Sequence, residues 1–126
     1  MKLKIGIDID HTITASKNSI KFFSLLTNLL STDVEIYIIT NREPGTEKEV
    51  VQELVKLGIK FNFIIITAKK AEYISKEGIS IFFENEDENF LSIPETVLVL
   101  KVRERGNFSF SEKKWLSSKN NTKMII

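Results

Sequence analysis

The chain has 126 residues, 42% of them hydrophobic, with 18 basic against 17 acidic side chains for a net charge of +1, and no Cys. That length buries a core without disulfides or metals as staples, so one domain over residues 1–126 is expected; the even charge argues against a nucleic-acid or polybasic membrane surface, and the lack of Cys excludes a disulfide framework, a thiolate nucleophile and a Cys-based zinc site. No apolar run is long enough for a membrane span and the N-terminus lacks a signal-peptide core, so a cytoplasmic protein is expected.

In chain order, residues 3–8 read as a strand that ends in "DIDHT", and residues 19–30 as a helix with Ile20, Phe23, Leu26, Leu29 and Leu30 on one face. A second strand over 35–40 ends at Thr40. A helix over 47–57 follows, with Thr46 at the N-cap and Glu49 at the capping-box spacing. Val50, Val51, Leu54 and Leu57 form its buried stripe, and Gly58 stands where a left-handed residue belongs. Residues 61–66, "FNFIII", form a third strand whose continuous apolar run suggests cover on both faces. Residues 68–77 read as a helix closed by Gly78, 80–84 as a fourth strand, 87–91 as a short turn or helix, 97–102 as a fifth strand and 111–117 as a last helix. Alternation of this kind predicts an α/β fold: a doubly wound, mostly parallel five-stranded sheet with helices on both faces. Ligands bind such sheets beyond the carboxyl ends of the strands, where Asp8, Thr40 and Glu84 fall.

Those strand ends carry the residues capable of chemistry. Asp8 and Asp10 lie two residues apart and can face one cleft, where two desolvated carboxylates repel. A divalent cation relieves that repulsion, and Mg²⁺ is commonly held by one or two carboxylates plus phosphate oxygens. One carboxylate can then attack phosphorus while the other serves as general acid and base. The alternative is a polar strand-to-turn exit. Thr40, Asn41 and Arg42 supply donors for a phosphate oxygen, or simply close a strand. Lys69 and Lys70 open a helix, and one of them can neutralise Asp8 and a phosphoryl group. Glu84, Glu86, Asp87 and Glu88 form either a metal site or an exposed turn. His11, the single histidine, reads as a flap or surface residue rather than a base. No Gly-rich dinucleotide or nucleoside-triphosphate fingerprint is present.

Together these pieces resemble the haloacid dehalogenase superfamily of phosphatases. The hydrophobic strand followed by DxDxT matches Asp8, Asp10 and Thr12; the Ser or Thr after the next strand matches Thr40. The Lys before the fourth strand matches Lys70, with Lys69 second, and "FFENEDE" approximates the acidic fourth motif. The cadence of "GIDIDHTIT", "TNRE", "GISIFFENEDENF" and "GNFSFSEKKW" is similar to the 5′(3′)-deoxyribonucleotidase branch.

The resemblance implies an enzyme, a Mg²⁺-dependent phosphomonoester hydrolase working through an aspartyl-phosphate. Asp8 is then the nucleophile and a metal ligand, and Asp10 the general acid/base with its carbonyl on the metal. Thr40, Asn41 and Lys70 hold the phosphoryl group, with Asn85 and Glu84 completing the metal site. The chain departs from the pattern at His11, where a smaller residue is usual, and at Asn85, where an acid is usual. An Asn carbonyl coordinates Mg²⁺ but brings no charge. The segments flanking Thr40 each hold one helix and its connections, so no cap domain is expected, and the substrate can be a nucleotide, a sugar phosphate or a larger phosphorylated molecule. A second copy of the chain can serve as lid. The rival readings are a non-catalytic member that binds a phosphorylated ligand or partner and, further off, a receiver-like signalling domain.

Overall fold

The computed structural model describes residues 2–116. Five strands, β1 (Leu3–Ile7), β2 (Val34–Thr40), β3 (Phe63–Ile66), β4 (Ile81–Glu84) and β5 (Leu98–Lys101), form one sheet in the order β3-β2-β1-β4-β5, and every pairing in it is parallel. Between them run α1 (Lys17–Leu30), α2 (Glu47–Lys56) and α3 (Lys70–Glu77), with short 3₁₀ turns at Ile13–Ala15, Asp87–Phe90 and Arg105–Asn107. Order runs outward from β1 to β3, then returns and runs outward again from β4. The reversal falls between β1 and β4, which is where an open α/β sheet leaves a crevice.

Alternation along the strands divides the core. Ile5, Ile7, Ile36 and Ile38 pack with Phe23 of α1 and Val50 and Leu54 of α2 on one face. Tyr37, Ile39 and Phe82 pack with Ile74 of α3 on the other. The helices thus cover both faces, as a doubly wound sheet requires. Gly6 lies on β1 between Ile5 and Ile7, where a Cβ would sit 2.8 Å from Ile39 Cδ1 and 3.2 Å from Phe82 Cδ1. The absent side chain lets the second layer close onto the central strand.

Several expectations change. In α1, Phe23 and Thr27 are buried but Leu29 is among the most exposed apolar residues, so the stripe runs through Ile20, Phe23, Leu26 and Leu30. Val51 of α2 likewise faces outward. Thr46 does not cap α2: its hydroxyl donates to the Glu43 carbonyl at 2.7 Å, so the local turn takes the group a cap would need. The capping box belongs to α1, where Ser16 and Ser19 satisfy one another's backbone N–H groups. The third strand is an edge strand, half-exposed rather than covered on both faces. Residues 111–116 are not helical. They form a turn and a short strand, β7 (Lys114–Trp115), antiparallel to β6 (Phe108–Ser109), with Phe108 edge-on to both Phe110 and Trp115. Ser117, the end of the helix expected there, lies outside the described residues. Among the described residues, no helix is long and apolar enough to cross a membrane.

Gly6→Val forces branched carbons against Ile39 and Phe82 and is expected to cost about 1–3 kcal/mol. Urea unfolding should show a lower midpoint at unchanged slope.

Candidate functional site

Ladder hydrogen bonds continue past the strand ends and fix the backbone there. Asp8 N–H donates to the Phe83 carbonyl at 3.0 Å, Thr67 N–H to Thr40 at 2.9 Å and Val102 N–H to Glu84 at 2.9 Å. Beyond Asp8 the chain turns on itself: Thr12 and Thr14 N–H both donate to the Ile9 carbonyl, and His11 adopts a left-handed φ of 59°. Ile9 and Ile13, both fully buried, hold this loop in the core.

At the reversal point the buried polar side chains meet. Lys70, the first residue of α3, donates from Nζ to Asp8 Oδ1 at 2.7 Å and to Glu84 Oε1 at 2.8 Å. All three side chains are essentially inaccessible. The second Asp8 oxygen accepts from the Thr12 hydroxyl at 2.9 Å, and that hydroxyl also reaches Asn85 Oδ1 at 3.3 Å. The second Glu84 oxygen accepts from the backbone N–H groups of Asn85 and Glu86, each at 3.0 Å. Glu84 therefore folds the loop after β4 around its own carboxylate.

Charge does not balance here. Two carboxylates face one ammonium, and burial, reinforced by Glu84 and opposed by Lys70, raises the Asp8 carboxyl to about 7. Burial works against the Lys70 ammonium too, yet Asp8 and Glu84 together outweigh it and raise Lys70 above its ordinary value. Thr40, at the end of neighbouring β2, is buried with a hydroxyl that has no hydrogen-bond partner among the described residues. A buried polar group left so is costly unless something else binds it.

The structure thus brings together Asp8, Thr12, Lys70, Glu84 and Asn85, and sets Thr40 at the same edge. It does not bring in Asp10. Both Asp10 oxygens are taken by Arg42, at 2.8 and 3.1 Å, and Arg42 also meets Glu53 at 2.5 Å. These two partners, Asp10 first, raise the guanidinium above its already high ordinary value. Asn41 and Lys69 are exposed, so Lys70 is the lysine of the pair that reaches Asp8. His11 pairs through Nδ1 with Glu104 at 2.9 Å.

Of the groups expected around Mg²⁺, Glu84 is engaged with Lys70 and with the backbone of its own loop. The Asp10 carboxylate is held by Arg42, which does not bear on the Asp10 carbonyl expected on the metal. Among the described residues, no three His, Cys, Asp or Glu side chains are grouped to hold a metal. Asp8 and Asn85 are neighbouring oxygen donors joined through the Thr12 hydroxyl, a pair that would have to exchange these bonds for a cation that arrives already bound to phosphate.

Sequence reasoning missed Lys101. It ends β5 in register with Glu84, pairs with Asp87 at 2.5 Å and donates to the Asn85 carbonyl, so it clamps the loop that carries Asn85. A basic residue closing a strand beside one that closes in an acid was the available clue.

No family model and no curated protein match this chain. Among solved structures, it is similar to a universal stress protein in complex with cAMP, at TM-score 0.49 and 12% identity over 80% of this chain and 96% of the other. It is also similar to a universal stress protein from Archaeoglobus fulgidus, at TM-score 0.43 and 11% identity over 80% and 95%. These likenesses are too distant to carry a function across. Neither matched structure is a haloacid dehalogenase, and the membership expected from the sequence finds no support in these comparisons. That membership, the 5′(3′)-deoxyribonucleotidase likeness and the Mg²⁺-dependent hydrolase activity are withdrawn together. The geometry is consistent with this, because both carboxylate oxygens of Asp10, cast as general acid/base, are taken up in a bidentate ion pair with Arg42.

The raised Asp8 carboxyl fixes the sign of a pH dependence. The folded state keeps the Asp8 proton to about pH 7, whereas an unfolded carboxyl loses it near its ordinary value of 3.8. Stability is therefore present below about pH 4 and is lost progressively as pH rises to about 7. Asp8→Asn leaves a balanced Lys70–Glu84 pair. It is expected to exceed the parent in thermal stability at pH 8, by about 1–4 kcal/mol, and to lose that advantage by pH 4. Lys70→Met leaves two unpaired carboxylates and should cost about 3–5 kcal/mol at pH 8.

Proposed function

We propose that this chain binds a phosphate-bearing small molecule, accompanied by a divalent cation, at the carboxyl edge of its sheet. The observation that carries the reading is the buried, unbalanced Asp8–Lys70–Glu84 cluster, with the unpartnered Thr40 hydroxyl ending the neighbouring strand β2. A bare phosphate would meet a net negative cluster and be repelled. With a cation, the same cluster becomes attractive. Asp8 and Asn85 are the residues that would hold the cation, and its role is to supply the missing positive charge.

Lys70 serves in this reading as the fixed positive charge that keeps Asp8 in place, and the Thr40 hydroxyl donates to a phosphate oxygen. The function is recognition, with the ligand bound intact. Binding at this edge is supported by the fold itself, since the reversal point between β1 and β4 is where doubly wound sheets take their ligands.

Titration calorimetry with inorganic phosphate, with and without Mg²⁺, tests the reading. Phosphate should bind at least about tenfold more tightly with Mg²⁺ present, and Asp8→Asn should remove most of that difference. Equal affinity with and without the cation, or no binding in either case, would contradict it. Thr40→Val gives a second, opposed pair of readouts. Without ligand the variant should be more stable by about 1–3 kcal/mol, because an unsatisfied buried hydroxyl is gone. Its phosphate affinity in Mg²⁺ should fall.

A further inference from the structure

A groove of about 590 Å³ opens beside Arg42, lined by Asn41, Arg42, Glu43, Pro44, Thr46 and Glu49, with Val50 at its base. It begins at the residue after Thr40, and its Arg42 wall is bonded to Asp10, two residues beyond Asp8. The groove therefore lies at the carboxyl end of β2, on the same edge of the sheet where the phosphate is placed above, and its volume suits a small organic group.

We propose that this groove receives the organic part of the ligand and that this part is polyhydroxylated, as in a sugar phosphate or a nucleoside phosphate. The proposal rests on the phosphate-binding reading. The chemistry of the walls selects the class. Arg42 is the one cation among the lining residues, and its charge is already shared between Asp10 and Glu53. Glu43 and Glu49 add two carboxylates to the exposed rim, so a second anionic group on the ligand is repelled. Those carboxylates accept hydrogen bonds, while the Asn41 amide both donates and accepts. Hydroxyl groups, which do both, match this mixture. Pro44 offers the apolar contact that ring carbons need, but too little of it for an extended hydrocarbon tail.

The test compares phosphomonoesters by calorimetry on the full chain with Mg²⁺ present: inorganic phosphate, ethyl phosphate, ribose 5-phosphate, adenosine 5′-monophosphate and 3-phosphoglycerate. Ribose 5-phosphate should bind about tenfold more tightly than ethyl phosphate, and 3-phosphoglycerate more weakly than either. Thr46→Trp fills the groove and Glu49→Gln, on the exposed rim, removes an acceptor with little risk to folding. Each should lower the ratio of ribose 5-phosphate to ethyl phosphate affinity, Thr46→Trp to parity. A nucleotide tighter than the sugar phosphate would show that the base is also held, and equal affinities that the sugar alone is read; both uphold the proposal. Equal affinity for ethyl phosphate and ribose 5-phosphate, or a ratio unmoved by either variant, would overturn the groove assignment while leaving phosphate binding standing. Failure of inorganic phosphate to bind the unmodified chain would instead overturn the phosphate reading, and the groove proposal with it.

Discussion

Two buried carboxylates set against a single buried ammonium are the constraint around which this edge of the molecule is arranged. Asp8 and Glu84 end adjacent parallel strands, so the sheet itself forces them together. Only a cation between them makes that juxtaposition tolerable in a site closed to water. Lys70 can supply it because α3 starts on the face opposite α1 and α2, over β1 and β4. The remaining oxygens are satisfied one by one: Thr12 takes the second oxygen of Asp8, and the backbone of Asn85 and Glu86 takes that of Glu84. Hydrogen bonding is nearly complete, yet one negative charge stays uncompensated. That residue of charge, with the idle Thr40 hydroxyl, is what the binding proposed for this edge rests on.

The surrounding contacts fix the loops that border this edge. Arg42 draws Asp10 outward and ties it to Glu53 of α2, so the loop after β1 and the helix after β2 share one ion-pair network. Lys101 plays the matching part on the other side by holding the loop after β4 through Asn85 and Asp87. His11 and Glu104 link the first loop to the segment after β5. These contacts join elements far apart in the chain, and each one anchors a loop that borders the buried cluster.

Much of this was legible in the sequence because the physics was local. Short Ile-rich runs between amphipathic helices can hardly be anything but a parallel α/β sheet, and polar residues closing such strands mark its working edge. Reading a family into that edge went too far. Any doubly wound sheet with polar chemistry places acids, a hydroxyl and a lysine at its strand ends, so Asp8, Thr40, Lys70 and Glu84 in order reflect the fold as much as a particular reaction. Periodicity also misled at residues 111–116, where cross-strand packing of Phe108 on Trp115 outweighs local helix preference. The Asp10–Arg42 pair was out of reach because nothing local joins residues so far apart in the chain.

The most direct measurement is the titration of the Asp8 carboxyl itself, followed by carbon NMR on aspartate-labelled protein, first alone and then with Mg²⁺ and phosphate together. An unbalanced buried cluster predicts a midpoint near 7 in the free protein. It also predicts a clear fall when the cation and phosphate are added, because the added positive charge favours the carboxylate. A midpoint near 4 that does not move on addition would contradict the account, since Asp8 would then be neither strained by its neighbours nor touched by the ligand.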